Sequence, residues 1–381
     1  MIFLDHAATT PVRREALEAM WPYLTGAFGN PSSHHGLGDE AARALASARA
    51  EVAAVVGCRP GDVVFTSGGT EADNLAVKGL ALANPRGRHV VVSPIEHEAV
   101  LEAADALVRL HGFELSRVAV DEHGVVTPEA LGRVIRPDTT LVSVQLANNE
   151  IGTVQPIAEL AAIAHASGAL MHTDAVQAAG WLPLSLDALG VDALSLAGHK
   201  VGAPKGTGAL IVRGRLPLEP VLHGGGQERG RRSGTENVAG AVAFATALRL
   251  AEAERADAAA RVGTLAARFR DLVAEAVPDA VLTGHPVDRL PGTVSYVFPG
   301  TSGEAVLLEL ERRDVVCSSG SACAAGSDEP SHVLTALGMP AELAQTAVRF
   351  TLGATTTADE VEAAAASVGE AVSAVRGIVR S

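Results

Sequence analysis

From residue 63 to residue 213 the chain alternates between short β-branched runs and Ala/Leu-rich stretches, and this alternation restricts the fold more than any other feature. VVFTSG (63–68) leads into TEADNLAVKGLALA, and HVVVSPIE (89–96) into HEAVLEAADALVRL. FELSRVAV (113–120) is followed by TPEALGRVI, and TTLVSVQLA (139–147) by PIAELAAIAHAS. ALMHTDAVQ (169–177), DALSLAGHK (192–200) and TGALIVR (207–213) complete the series. Nearly continuous apolar strands joined through helices predict an α/β fold with a mostly parallel seven-stranded sheet covered on both faces. In such sheets ligands bind beyond the carboxyl ends of the strands.

The pattern changes near residue 236, where ENVAGAVAFATALRLAEAERADAAARVGTLAARFRDLVAEAV reads as long helix. After Pro278 come shorter strands, GTVSYVFPG and DVVCSSG, and two more helical segments. The expected division is a large domain over 11–255 and a smaller α+β domain formed by 1–10 and 256–381. The opening IFLDHAATTP, cut off from the sheet by helical material, is compatible with pairing in either domain.

Aromatic residues are only 3% of the chain against 48% hydrophobic, so Ala, Val and Leu must fill the core. The net charge of −14 argues against non-specific binding to nucleic acid. One local exception is QERGRRSG, where Arg229, Arg231 and Arg232 form either a solvated turn or a site for an anion or acidic partner. Three irregularly spaced cysteines argue for a reducing compartment, hence the cytoplasm. MIFLDHAATTPVRR lacks the pattern of a signal peptide, and no apolar run reaches the ~20 residues of a membrane span.

Three strand ends collect chemistry. In TSGGTEADN (66–74) a strand turns through glycines into a helix, where free N–H groups attract an anion such as phosphate. The same stretch is compatible with Thr70 as N-cap and Asp73 at the third helical position. HTDAVQ (172–177) closes an apolar strand with Asp174, either a helix N-cap or a carboxylate that keeps a ring nitrogen protonated. SLAGHKVGAPKG (195–206) places Lys200 at a strand end, as a snorkelling or paired lysine or as an amine able to form a Schiff base. Together a phosphate loop, a ring-nitrogen carboxylate and a strand-end lysine specify pyridoxal phosphate.

At this point the chain resembles the cysteine desulfurases of the NifS/IscS type, in the class V aminotransferase group of fold-type I pyridoxal-phosphate enzymes. FGNPSS, FTSGGTEADN, EHEAV, NNEIG, HTDAVQ, AGHK, HGGGQERGRRSGT, SSGSAC and VRFTLG carry the resemblance, in order and over nearly the whole chain. The resemblance implies that Lys200 carries pyridoxal 5'-phosphate and moves protons at the substrate Cα. It implies Asp174 at the ring nitrogen, Gln177 at the ring hydroxyl and His97 stacked on the ring and active in acid/base steps. It assigns Gly69, Thr70 and His199 to the phosphate, with Thr235 reaching the phosphate of a neighbouring subunit, so a homodimer is expected. Asn149 and Arg349 would hold the carboxylate of substrate L-cysteine, and Cys323 would take the sulfur as a persulfide and pass it to an acceptor protein. No direct nucleic-acid or membrane contact is expected, and no metal.

The segment CSSGSACAAGSDEPSH is expected to be a mobile loop over about residues 318–331, with weak density around 321–331, so that Cys323 can visit cofactor and acceptor. Cys317 is read as packing or as a resolving thiol, and Cys58 as structural. Ala197 stands where the family often has Ser or Thr, which predicts slightly looser cofactor binding. The family's housekeeping members commonly carry a further C-terminal segment that docks a scaffold; here the chain ends about 30 residues after Arg349. Acceptors in iron–sulfur assembly, tRNA thiolation or DNA sulfur modification all remain compatible. Competing readings are a selenocysteine lyase, a class V aminotransferase, and a metal or sulfur-carrier module built on Cys317, Cys323 and His332.

Overall fold

The computed structural model describes residues 1–84, 86–319 and 329–379. The chain opens with a short strand, β1 (Ile2–Phe3), and two helices, α1 (Arg14–Thr25) and α2 (Gly36–Val56). Strand–helix units follow: β2 (Val63–Thr66), α3 (Gly69–Ala83), β3 (His89–Val92), α4 (Glu98–His111), β4 (Glu114–Arg117) and α5 (Pro128–Val134). Next come β5 (Thr139–Ser143), α6 (Ile157–Ala166), β6 (Leu170–Asp174), α7 (Leu186–Leu189), β7 (Ala193–Ala197) and β8 (Gly208–Val212). Each of the seven strands lies inside one of the apolar runs read from the sequence. Local chemistry sets the ends of the helices. Thr127 caps α5 by accepting the Ala130 N–H, and Pro128 follows at the first helical position. Gly57 and Gly112 close α2 and α4 in the left-handed region, which favours glycine.

The seven strands form one sheet in the order β2-β8-β7-β6-β5-β3-β4. β3 through β7 run parallel, while β8 is antiparallel to both β7 and β2. The link from β7 to β8 carries no α-helix among its residues, so the chain turns back rather than crossing over. One face is covered by α3 and α4 through Leu75, Leu80, Val100 and Leu107. The other packs on Leu160, Leu186, Phe244 and Leu248.

One helix of 39 residues, α8 (Val238–Ala276), joins this body to the rest. Beyond it lie β9 (Val281–Leu282), β10 (Thr293–Val297), α9 (Gly303–Glu311), β11 (Val315–Val316), α10 (His332–Ala336), α11 (Ala341–Ala344), β12 (Ala347–Thr351) and α12 (Ala358–Val379). β12, β10 and β9 make a three-stranded antiparallel sheet. The sequence reading placed no strand at β9 or β12; β9 has two residues, and β12 was noticed only as a motif. β1 pairs in parallel with β11, and Leu4 enters the second core with Val262, Phe269, Phe298, Phe350 and Val368. The N-terminal segment is therefore built into the smaller body. Residue 255, the expected boundary, lies inside α8: Ala241 to Ala251 pack with the first core and Val262 to Val273 with the second.

Candidate active site

The carboxyl ends of the parallel strands open on a cavity of about 600 Å³ lined by Gly69, Thr70, His97, Asn149, Asp174, Gln177, His199, Lys200 and Arg349. Nine of the residues read from the sequence thus meet at one place, supplied by both bodies and by the N-terminal segment through Ala7 and Ala8.

α3 begins at Gly69 with Gly68 as its cap residue and no side-chain cap bond. The alternative of Thr70 as N-cap is overturned, and Asp73 falls deeper in the helix than the third position. A Cβ on Gly69 would stand 2.9 Å from Val176 Cγ2 and 3.3 Å from Ala197 Cβ, so only glycine allows this approach. The first-turn N–H groups and the dipole of a 15-residue helix point an anion site at the cavity. Behind it, Glu71 accepts from Ser67 N–H at 2.8 Å and from Arg232 Nε at 2.8 Å, which braces the turn.

Asp174 ends β6 and is buried, and its Oδ1 accepts the Val176 N–H at 2.8 Å. Turns, not a helix, follow it, so the N-cap reading falls. Burial pushes its carboxyl above the usual range; the Val176 N–H and the fields of His97 and Lys200 pull the other way. A cation in the cavity would restore its ionised form. Lys200 lies in the 3-10 turn after β7, its ammonium donating to the carbonyls of Ala7 and, at 2.9 Å, Ala8. Gln177 Nε2 donates to the Ala7 carbonyl at 3.0 Å. His199 Nδ1 lies 3.3 Å from Thr9 Oγ1, and burial with Lys200 and Lys205 nearby brings its pKa down to about 4. His97 caps α4: its Nδ1 accepts the Ala99 N–H at 3.0 Å, which leaves Nε2 to carry the ring proton.

Arg349 comes from β12 and is almost fully buried. Its Nη1 donates to the Asn149 carbonyl and its Nη2 to Asp5 Oδ1, both at 2.8 Å. Its main chain pairs with Ser318 through bonds of 2.6 and 3.1 Å. Thr235 is not at this cavity within one chain; it lines a second one of about 240 Å³ with Ser67, Arg232 and Glu236. Cys323 and the mobility expected of its loop lie outside the described residues. Glu329, Pro330, Ser331 and His332, just beyond that stretch, line the cavity, and Ser331 Oγ donates to Glu150 at 2.5 Å.

Sequence reasoning missed several buried groups. Asp73 and Glu150 line the cavity at most 5% exposed and Glu96 is buried beside His97; all three lie inside motifs quoted above, and none had a task there beyond Asp73 as a helix-start residue. For Glu96 and Glu150 the available signal was a carboxylate in a motif just beyond an apolar strand. Asp5, the partner of Arg349, carried none. Arg229 and Arg231 turn back onto carbonyls of Gly61, Val63 and Gly214, and Arg232 onto Glu71, so they brace the fold rather than form an open anion site. Burial raises the thiol of Cys58 to about 11 and that of Cys317 higher still, and Cys317 packs against the second core. Both are the protonated, packed cysteines expected of structural positions.

The residues present fit pyridoxal phosphate: an anion-binding helix start shaped by Gly69, a carboxylate whose pKa burial raises, and an amine on one cavity wall. The family model for class-V aminotransferases matches residues 2–364. A cysteine desulfurase IscS of Dictyoglomus turgidum is 45% identical over 94% of this chain and 91% of its own length. One of Methanosarcina thermophila is 44% identical over 99% of this chain and 93% of its own. The solved structure of a NifS-like protein superposes with a TM-score of 0.91 at 37% identity, covering 98% of this chain and 99% of that one. The chain therefore belongs to the class-V aminotransferase family and, within it, to the pyridoxal-phosphate-dependent cysteine desulfurases.

Proposed function

We propose that the chain converts L-cysteine to L-alanine and hands the sulfur, through a persulfide on Cys323, to an acceptor protein. The observation that carries this reading is the single cavity shared by the α3 N-terminus, Asp174, Lys200 and Arg349. Bound there, pyridoxal phosphate supplies the electron sink that stabilises negative charge at the substrate Cα. Gly69, Thr70 and His199 hold the phosphate, and a neutral His199 can donate to it. Asp174 would keep the ring nitrogen protonated, Gln177 would bond the ring hydroxyl and His97 would lie over the ring. Arg349 and Asn149 take the substrate carboxylate, for which a guanidinium offers two parallel hydrogen bonds. Lys200 moves the proton at Cα. The Cys323 thiolate then attacks the substrate sulfur: a sulfur–sulfur bond forms, the carbon–sulfur bond breaks, and the carbon skeleton leaves as alanine after protonation.

A homodimer is part of the same proposal. Leu17, Trp21 and Leu24 on one side of α1, with Phe28 beyond it, form an exposed apolar face that supports a second copy. The two cores support two domains, 11–255 and 1–10 with 256–381. The free thiols of Cys58 and Cys317 support a cytoplasmic location, and no described helix is long and apolar enough to cross a membrane.

Incubation with L-cysteine and a reductant tests the reading. Equal amounts of alanine and sulfide are expected, both lost in Cys323→Ala. Alanine that forms without Cys323 would sink the sulfur-transfer step. A yellow protein that loses its colour in Lys200→Ala is expected as well.

A further inference from the structure

One cavity group has no task in that chemistry. Asp73, on α3, is 2% exposed and lines the same cavity as Asp174. Its Oδ1 has no hydrogen-bond partner. His172 Nε2 stands 3.8 Å from it, too far for a hydrogen bond. That imidazole is committed elsewhere: Nε2 lies 2.9 Å from Ser195 Oγ and Nδ1 2.8 Å from Ser143 Oγ. Burial lowers its pKa to about 3, so His172 offers Asp73 no charge. The other groups acting on Asp73 are the Ser195 hydroxyl and two further buried acids, Asp174 and Glu96. His97 and Lys200 direct their fields at Asp174 instead. Neighbouring carboxyls in such a site cannot all ionise, and Asp73, with a neutral hydroxyl and a neutral imidazole beside it and one oxygen unpartnered, gives way.

We propose that Asp73 is a positioning residue: an uncharged, buried carboxyl that leaves Asp174 as the single carboxylate facing the cofactor's ring nitrogen. The negative charge set against the ring is thereby held at one. The proposal rests on the reading of Asp174 as the ring-nitrogen partner. Burial first, and the charge of Asp174 second, raise the Asp73 pKa well above its ordinary 3.8, in keeping with the geometry.

The cofactor-free protein provides the first test. A carboxyl whose folded pKa is raised binds its proton more tightly when folded, so wild-type stability falls as pH rises above the unfolded value. Asp73→Asn keeps the shape and removes the titration. Its denaturation midpoint relative to wild type is expected to improve from pH 5 to pH 8; a loss equal at both pH values overturns the proposal. Should that variant not fold, Asp73→Ser is compared with wild type. A protonated-carboxyl infrared band at pH 7 that is present in wild type and lost in Asp73→Ser is expected, and a band unchanged in Asp73→Ser overturns the proposal.

The second test uses the loaded enzyme's absorption spectrum. Asp73→Asn is expected to keep the cofactor band and its pH midpoint, whereas Asp174→Asn moves both. A shift in Asp73→Asn as large as that in Asp174→Asn overturns the proposal. An unmoved spectrum in Asp174→Asn overturns the ring-nitrogen reading instead, and the stability result identifies which of the two has failed.

Discussion

Arg49 and Arg349 are both buried, and each faces a carboxylate, yet they serve different ends. Arg49 binds Glu228 through two bonds of 2.6 and 2.7 Å, donates to the Val63 carbonyl at 2.7 Å and lies over the Phe65 ring. Glu228 in turn accepts the Phe65 N–H at 3.1 Å. That brace is closed on itself and locks the 228–232 turn to the sheet edge. Arg349 meets Asp5 and a main-chain carbonyl and also lines the large cavity. A buried charge with its partners in a closed set is scaffold. A buried charge that also lines a cavity is where a role in binding is proposed.

The largest effect should fall on the brace. Arg49→Met leaves Glu228 buried without its cation, a loss of about 3–5 kcal/mol expected by chemical denaturation. An unchanged midpoint would break the comparison. Arg349→Ala should act on turnover instead. Losing charge-assisted hydrogen bonds of about 1.5–3 kcal/mol lowers kcat/KM for L-cysteine about 10–100-fold. Its stability cost should be the smaller of the two, because Asp5 keeps 18% of its side chain in water. Equal destabilisation by both substitutions would erase the distinction.

A weaker effect separates the regions by pH. His199, held at about 4 against an ordinary 6.5, is neutral when folded. An unfolded His takes up a proton below about 6.5, so folding stability falls as pH drops from there toward 4. His199→Gln should flatten that slope in denaturation curves at pH 7 and pH 5, and an unchanged slope would remove His199 from the account. The smallest effect is expected at Ala197, which lines the cavity beside Gly69. Ala197→Ser adds a hydroxyl near the anion site and should tighten cofactor binding a few-fold, about the worth of one hydrogen bond. Unchanged affinity by titration of the cofactor-free protein would count against a contact with the phosphate.

Much of the fold was legible because most strands fall in short apolar or β-branched runs, although β4 is Glu-Leu-Ser-Arg and partly exposed. Seven such runs became the seven strands of the sheet. β9 and β12 were not, since two residues carry no period and VRF interrupts its apolar run with an arginine. In the site, glycines before a helix, an aspartate closing an apolar strand and a lysine between glycines at a strand end are local signals, and together they sufficed to name pyridoxal phosphate. Thr235 lies outside the cavity of its own chain, so the phosphate contact proposed for it would need a second copy. Asp5 and Asp73 were silent, because pairing and loneliness are properties of neighbours distant in sequence.

The sequence by itself determined the strand segments and the kind of cofactor, since each is read from short motifs of a few residues. Tertiary structure alone decided which carboxyls meet. Asp5 finds Arg349 across 344 positions, Arg49 finds Glu228 across 179, and Asp73 finds no partner for one oxygen. Charge in a buried site is set by what surrounds it in space, and burial raises the cost of every ion left unmatched.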